Sequence, residues 1–220
     1  MQKEIALKIR NDEREMMASW NGSVFSYQEK EFFVDKRVYV PEVASLLMVD
    51  NYCIKSGDHV LDIGTGSGFI AILSAYKGAD KVVAIDINPD AINNAKTNVE
   101  RHQFSSIIDV RLSDMFEKVR ADEEFDVVTV NLPFVIHPSS KMIERALWDP
   151  EFVAHKLFFK GIRNFLRLNG RIYIVQANFG AVDELKRLVS QTGFSINKIA
   201  QVNVPFDKEY EMEFYLFELY

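Results

Sequence analysis

A chain of 220 residues, 48% hydrophobic and 26% charged, is long enough for one domain with a substantial core and has an ordinary globular composition. Its formal net charge of -6 disfavours long nucleic acid as a partner held by charge alone, because such binding draws on many Lys and Arg contacts to phosphate. The one cysteine, Cys53, excludes an internal disulfide framework and a Cys-rich zinc site; with no secretory leader or membrane-spanning apolar run to be read, the expected location is the cytoplasm, with no membrane partner.

In chain order, the periodicity predicts a helix ending near Trp20, strand patches within SVFSYQEKEFFVDKRVYV, and a helix from Pro41 to about Tyr52. Residues 1–40 are expected to form a helical and strand extension to a domain spanning 41–220. Apolar, β-branched runs predict strands at 59–63, 81–86, 107–112, 125–130 and 170–176, and helix-period stretches lie at 69–77, 91–102, 150–168 and 181–191. Strands alternating with helices imply an α/β fold, a mostly parallel sheet with helices on both faces. The chain then changes character: FSINKIAQVNVP and EMEFYLFELY flank the polar turn FDKEYE with no helix between them, which predicts a C-terminal antiparallel hairpin.

The stretch VLDIGTGSGFIAI (60–72) is a strand, a glycine loop and a helix start, the arrangement that holds the polar end of a nucleotide-like ligand. It is not the dehydrogenase fingerprint. The third glycine of Gly64, Gly66 and Gly68 comes too early for G-x-G-x-x-G, and Asp62 ahead of the loop would repel a pyrophosphate while suiting an amine. Asp86 ends the next strand, in AIDINPDAI, where an acid accepts hydrogen bonds from ribose hydroxyls. Its competing role as a helix cap is better filled by Asn88 or Asp90. In RLSDMF, Ser113 and Asp114 end another strand, placed either to meet an adenine amine or to cap a turn. An amino-acid end, a ribose and an adenine without phosphates describe S-adenosylmethionine.

On DIGTGSG, AIDINPDAI, LSDMF and NLPF the sequence resembles the class I S-adenosylmethionine-dependent methyltransferases from about Val40 to Tyr220. The resemblance implies a Rossmann-like, seven-stranded sheet ending in the antiparallel hairpin. It also implies S-adenosylmethionine as cofactor, with Asp62 and the loop Gly64, Thr65, Gly66 and Gly68 facing its methionine part. Asp86 and Ile87 would then meet the ribose, and Ser113 and Asp114 the adenine.

The strand at 125–130 runs straight into Asn131, Leu132, Pro133 and Phe134. N-L-P-F resembles the (Asn/Asp)-Pro-Pro-(Tyr/Phe) signature of enzymes that methylate a planar nitrogen, and its Leu matches the Asn-Leu-Pro-Tyr form of ribosomal-RNA adenine dimethyltransferases. A conjugated nitrogen is a poor nucleophile. Acceptors aimed at its N–H groups, here the Asn131 oxygen and the Leu132 carbonyl, stabilise the charge that develops on it, and Phe134 would stack on the flat group. Read alone, N-L-P-F is equally a turn after a buried strand.

For the methyl acceptor, the motifs point to two subfamilies at once. VYVPEVASLL (38–47) resembles the segment ahead of the cofactor site in release-factor glutamine methyltransferases, whereas GSGFIAILSAYKGADKVVAIDINPDAI is similar to the ribosomal-protein lysine methyltransferases. VIHPSSKMIERALWDPEF (135–152) is the expected substrate-facing loop, with His137 as polar anchor and Trp148 as stacking surface or core. Lys156, Lys160, Arg163 and Arg167 are read as the solvated face of one amphipathic helix. His59, His102, His137 and His155 show no metal-ligand spacing, so no metal is expected. The expected function is methyl transfer to a planar nitrogen of a protein side chain or small molecule. The alternatives are a nucleic-acid adenine or guanine N-methyltransferase, disfavoured by net charge, and a cofactor-binding, non-catalytic partner subunit; the intact Asp62, Asp86 and Asn131 favour an enzyme over the latter.

Overall fold

The structure, a computed structural model, describes residues 2–19, 21–139 and 141–220. Helix α1 (Gln2–Ser19) leads into a hairpin of β1 (Ser23–Tyr27) and β2 (Lys30–Val34), followed by α2 (Val43–Asn51). The expected end of the first helix near Trp20 falls on a residue outside the described ones. From there strands and helices alternate: β3 (His59–Ile63), α3 (Phe69–Tyr76), β4 (Lys81–Asp86), α4 (Pro89–Arg101), β5 (Ile108–Leu112) and β6 (Phe125–Val130). The chain closes with α5 (Val153–Gly161), β7 (Leu166–Ala177), α6 (Val182–Thr192), β8 (Ile196–Pro205) and β9 (Glu211–Leu219).

Seven strands form one sheet in the order β5-β4-β3-β6-β7-β9-β8. The first five run parallel and β9 pairs antiparallel with both β7 and β8. Strand order reverses between β3 and β6, which opens a crevice at their carboxyl ends. The two-residue alternation of each strand divides the core into two layers. Val60, Val82, Ala84 and Val127 face a cluster with Met48, Phe69, Ile72 and Ala95 from α2, α3 and α4. Leu61, Ile63, Val83, Ile85 and Val128 face the other, with Phe158, Phe159, Leu185 and Val189 from α5 and α6. That double burial is why these strands read as unbroken apolar runs.

The first forty residues share this core. Phe32 packs edge-on against Phe69 at 4.9 Å, Ala6 and Ile9 of α1 join the same layer, and the side-chain amide of Asn98 on α4 bonds both N–H and C=O of Phe33. Among the described residues no helix is long and apolar enough to cross a membrane.

Among the helices, one expectation fails. The helix predicted over 150–168 is broken, because Glu151 and Phe152 take left-handed φ values of 53° and 59° and the helix restarts at Val153. The Asp149 carboxylate starts it, accepting from the Ala154 N–H at 2.9 Å and meeting the buried His155 Nδ1 at 2.8 Å. It also stops early, since Leu166 already pairs with Phe125 of β6, so the strand expected at 170–176 begins at Leu166. Sheet pairing overrides the helical pattern there. The basic stripe dissolves with it: Arg167 sits on β7, bonded to Asp126 at 2.6 Å, and Arg163 donates to the Thr192 carbonyl. Lys156 and Lys160 remain exposed on α5.

Candidate active site

The crevice at the switch point holds a cavity lined by the glycine loop, the end of β4, the segment after β6 and parts of α1 and α2. Three positive-φ glycines shape the loop, at 75° for Gly64, 55° for Gly66 and 82° for Gly68. The Gly64 and Thr65 N–H groups donate to the Ile85 carbonyl at 2.9 and 3.0 Å, fastening the loop to β4. A Cβ on Gly66 would meet nothing within 4 Å, whereas one on Gly68 would press on Ala95 Cβ at 3.2 Å. Gly66 therefore leaves an open strip of backbone facing the cavity, and Gly68 lets the loop pack on α4. Asp86 lines the cavity half-buried, its two oxygens taking the N–H groups of Gly66 and Asn88 at 2.9 Å each. Burial pushes its carboxyl up, with those N–H donors opposing the shift.

Asp62 lies behind the loop and is not among the cavity-lining residues. It is 1% exposed; Oδ1 accepts the Thr129 hydroxyl at 2.8 Å and Oδ2 is buried with no hydrogen-bond partner. Burial raises its pKa to about 6, and the nearby Asp86 charge adds to the shift. Thr65 and Ile87 line the cavity, as do Ser113 and the exposed Asp114. The Ser113 hydroxyl is taken up locally, donating to the Met115 carbonyl at 2.7 Å and accepting from the Lys118 N–H at 3.0 Å, so it caps a turn.

Asn131, Leu132, Pro133 and Phe134 line the same cavity, and the Asn131 carbonyl comes 3.8 Å from where a Gly64 Cβ would sit. Asn131 Nδ2 donates to Ser45 Oγ at 3.3 Å, which leaves Oδ1 to accept. The segment is pinned by backbone bonds from Ala181 N–H to the Phe134 carbonyl and from Asp149 N–H to the Val135 carbonyl, both 2.9 Å. Phe134 departs from expectation. Its ring is 4% exposed, packed against Phe179 and Phe214 and covered by the Arg10 guanidinium at 4.9 Å, so it forms wall where an open stacking face was expected. His137 is not brought to the cavity; its Nδ1 meets the Pro138 carbonyl and its ring rests on Trp148, centroids 4.5 Å apart. Trp148 is 3% exposed, core and cavity wall at once.

The comparisons with known proteins agree with this geometry. Residues 54–216 match the family model described as "Methyltransferase domain". A Methanocaldococcus jannaschii protein, provisionally named a protein N5-glutamine methyltransferase, is 30% identical over 78% of this chain and 88% of its own length. A bifunctional methyltransferase of Rickettsia typhi is 29% identical over 87% of this chain, which spans 43% of that larger protein. The crystal structure of the M. jannaschii tRNA m1G37 methyltransferase superposes with a TM-score of 0.64 over 91% of this chain and 57% of that one, at 21% identity, which speaks to fold alone.

The chain belongs to the methyltransferase domain family. It is a class I S-adenosylmethionine-dependent methyltransferase with the Rossmann-like seven-stranded sheet expected of that class. The residues present suit the cofactor: an open glycine strip and a carboxylate at the end of β4, both lining the cavity. Sequence reading missed the methyltransferase's other wall. Arg10, Glu13, Tyr39, Glu42 and Ser45 line the cavity beside Asn131 and Phe134. A signal existed for two of them: Ala6, Ile9, Arg10 and Glu13 follow an i, i+3, i+4, i+7 helical spacing, so an ion pair stands on the buried stripe of α1. Gly180 was also missed; a Cβ there would strike the Phe134 carbonyl at 2.8 Å, so only glycine lets the turn after β7 close on the Asn131–Phe134 segment.

Proposed function

We propose that this methyltransferase methylates the side-chain amide nitrogen of a glutamine in a protein acceptor. The observation that carries the reading is the Asn131–Phe134 segment, which leaves the central strand β6 into the cavity that the glycine loop and Asp86 line. The M. jannaschii relative's name supports the same acceptor. In this reading the Gly64–Gly68 backbone, Thr65, Asp86 and Ile87 hold the methionine and ribose parts of the cofactor, Asp114 stands at the adenine edge, and the buried Asp62 carries the charge that complements the ammonium.

S-adenosylmethionine supplies an electrophilic methyl group on a sulfonium. The chain's part is to raise the nucleophilicity of an amide nitrogen whose lone pair is delocalised. Asn131 Oδ1 and the Leu132 carbonyl accept the two amide N–H groups, which favours a pyramidal nitrogen and stabilises positive charge as it develops. Ser45 holds the Asn131 amide so that its oxygen stays in place, and Pro133 with Trp148 walls out water. The nitrogen loses its proton after the methyl has arrived, so the pocket needs no strong base.

Radiolabelled methyl transfer into a lysate, fractionated into protein, RNA and small molecules, tests the reading. Label is expected in protein, on glutamine by mass spectrometry of the labelled band. Label confined to RNA or small molecules would overturn it.

A further inference from the structure

The wall opposite the glycine loop carries charges that the amide chemistry above does not use. Arg10 is 3% exposed, lines the cavity and lies over the rings of Phe134 and Phe179 at 4.9 and 5.2 Å. Its Nη1 bonds Glu13, while its Nε is buried with no hydrogen-bond partner. Glu42, half-buried, accepts the Tyr39 hydroxyl at 2.9 Å. Burial pushes the Glu42 carboxyl up, with the Tyr39 hydroxyl and the Arg10 charge opposing and the charge of Glu13 adding. The same two carboxylates help hold the Tyr39 hydroxyl well above its usual range, after burial itself. Glu13 and Glu42 both line this cavity, with the buried Arg10 guanidinium bonded to Glu13 and the Tyr39 hydroxyl bonded to Glu42. Arg145 lines the cavity too, but it is exposed, where water screens it.

Two withdrawn carboxylates against one buried guanidinium leave a negative excess, which is costly in a low-dielectric chamber until a cation completes it. Besides Arg10, α1, α2 and the 131–134 segment supply no cation among the described residues lining the cavity, and Arg37, which lines it too, is exposed and paired with Asp35 and Asp90. We propose that Arg10, Glu13 and Glu42 form an acceptor subsite that takes a cationic, donor-rich side chain, lysine or arginine, lying next to the methylated residue in a protein acceptor. The cation lies between the Glu13 and Glu42 carboxylates, beside the Arg10 guanidinium. An acidic neighbour or a phosphodiester is rejected by the same charges. The proposal rests on the protein-glutamine reading above, for which it specifies the sequence context.

The test uses short synthetic peptides with one central glutamine and lysine, norleucine or glutamate at each of the two positions on either side. Binding is measured by calorimetry on the full chain saturated with the demethylated cofactor, and methyl transfer is measured separately. At one or more positions lysine is expected to bind roughly tenfold or more tighter than glutamate, with norleucine between. The Glu13→Gln, Glu42→Gln double variant is expected to bring that ratio to within about twofold; its melting curve reports folding, and either single variant, expected to lose part of the ratio, serves if the double variant does not fold. Equal binding of all three series, no binding by any, or a lysine preference untouched by the substitutions would overturn the subsite. The two readings fail differently. Peptides methylated without charge preference sink the subsite alone, and peptides that bind with lysine preference yet take no methyl group on glutamine sink the acceptor assignment alone.

Discussion

The glycine-loop end of the cavity is held mostly by backbone, with Gly64 and Thr65 on the Ile85 carbonyl and Gly66 on Asp86, all within one short reach of chain. The opposite end gathers Arg10, Tyr39, Ser45, Asn131 and Trp148 from separate segments and is held by side chains, among them Arg10 over Phe134 and Ser45 on Asn131. Backbone built around positive-φ glycines fixes one ligand's shape and tolerates change in its side chains. A wall made of side chains can be re-specified one residue at a time, and it is where the proposed function places the choice of acceptor.

The contrast predicts separable losses, and the largest belongs to Asn131. Asn131→Ala removes an acceptor whose value is realised mainly in the transition state, so turnover is expected to fall by roughly a hundredfold or more while cofactor affinity and melting temperature change little. If N-L-P-F were only a turn, stability and activity would fall together. Turnover, calorimetry and a melting curve on one preparation decide the matter.

Asp86→Ala strikes the other end and is expected to spare the acceptor. It deletes the carboxylate that holds the Gly66 and Asn88 N–H groups and lines the cavity where the proposal places the ribose. Cofactor affinity should weaken by about 1–3 kcal/mol, a rise in Kd of roughly fivefold to 150-fold, with turnover at saturating cofactor changed far less. Unchanged affinity by calorimetry would remove Asp86 from the site.

The same division governs what could be read from the sequence. DIGTGSG and AIDINPDAI announce themselves because each needs its residue types within a few positions, for a turn, a close approach or a strand-end acid. The sheet was legible for a similar reason, since strands buried on both faces show as apolar runs. The acceptor wall was not, because the place of Arg10 over Phe134 depends on how α1 folds back across the chain. His137 looked like a site residue from its position alone, but Trp148 takes its ring. The helix written over 150–168 fell to the Asp149 cap and the Phe125–Leu166 pairing, neither visible in a helical period.

Gly180 offers a smaller test of the side-chain-built end. A Cβ there would meet Gln176 Oε1 at 2.3 Å and the Phe134 carbonyl at 2.8 Å, and the backbone oxygen cannot rotate away. Gly180→Ala is expected to destabilise the protein by about 1–3 kcal/mol and to lower turnover by displacing the Asn131–Phe134 segment, with cofactor affinity kept. A normal melting temperature with normal turnover would show that the turn after β7 does not brace that segment.

Asp62 offers a test on stability alone, and its signature is a pH dependence. Burial lifts its pKa in the folded protein to about 6, whereas an exposed aspartate in the unfolded chain titrates near 4. The folded state therefore binds the proton more tightly than the unfolded state, and stability falls as pH rises between those values. Below roughly pH 4 the carboxyl is neutral in both states and carries no penalty; above about pH 6 the penalty is complete, on the order of 3 kcal/mol from a shift of about two units. The Asp62→Asn variant keeps the Thr129 hydrogen bond through its side-chain oxygen and cannot ionise at this position, so any cost of the buried NH2 group is the same at every pH. The melting-temperature difference, variant minus wild type, should thus climb by several degrees from pH 4 to pH 7 in the cofactor-free protein. With the cofactor bound it should climb less, because an ammonium beside the loop compensates the charge that only the wild type carries. A difference that is flat with pH would mean that Asp62 is not held by burial, and a slope that the cofactor leaves untouched would mean that its charge does not serve the methionine end.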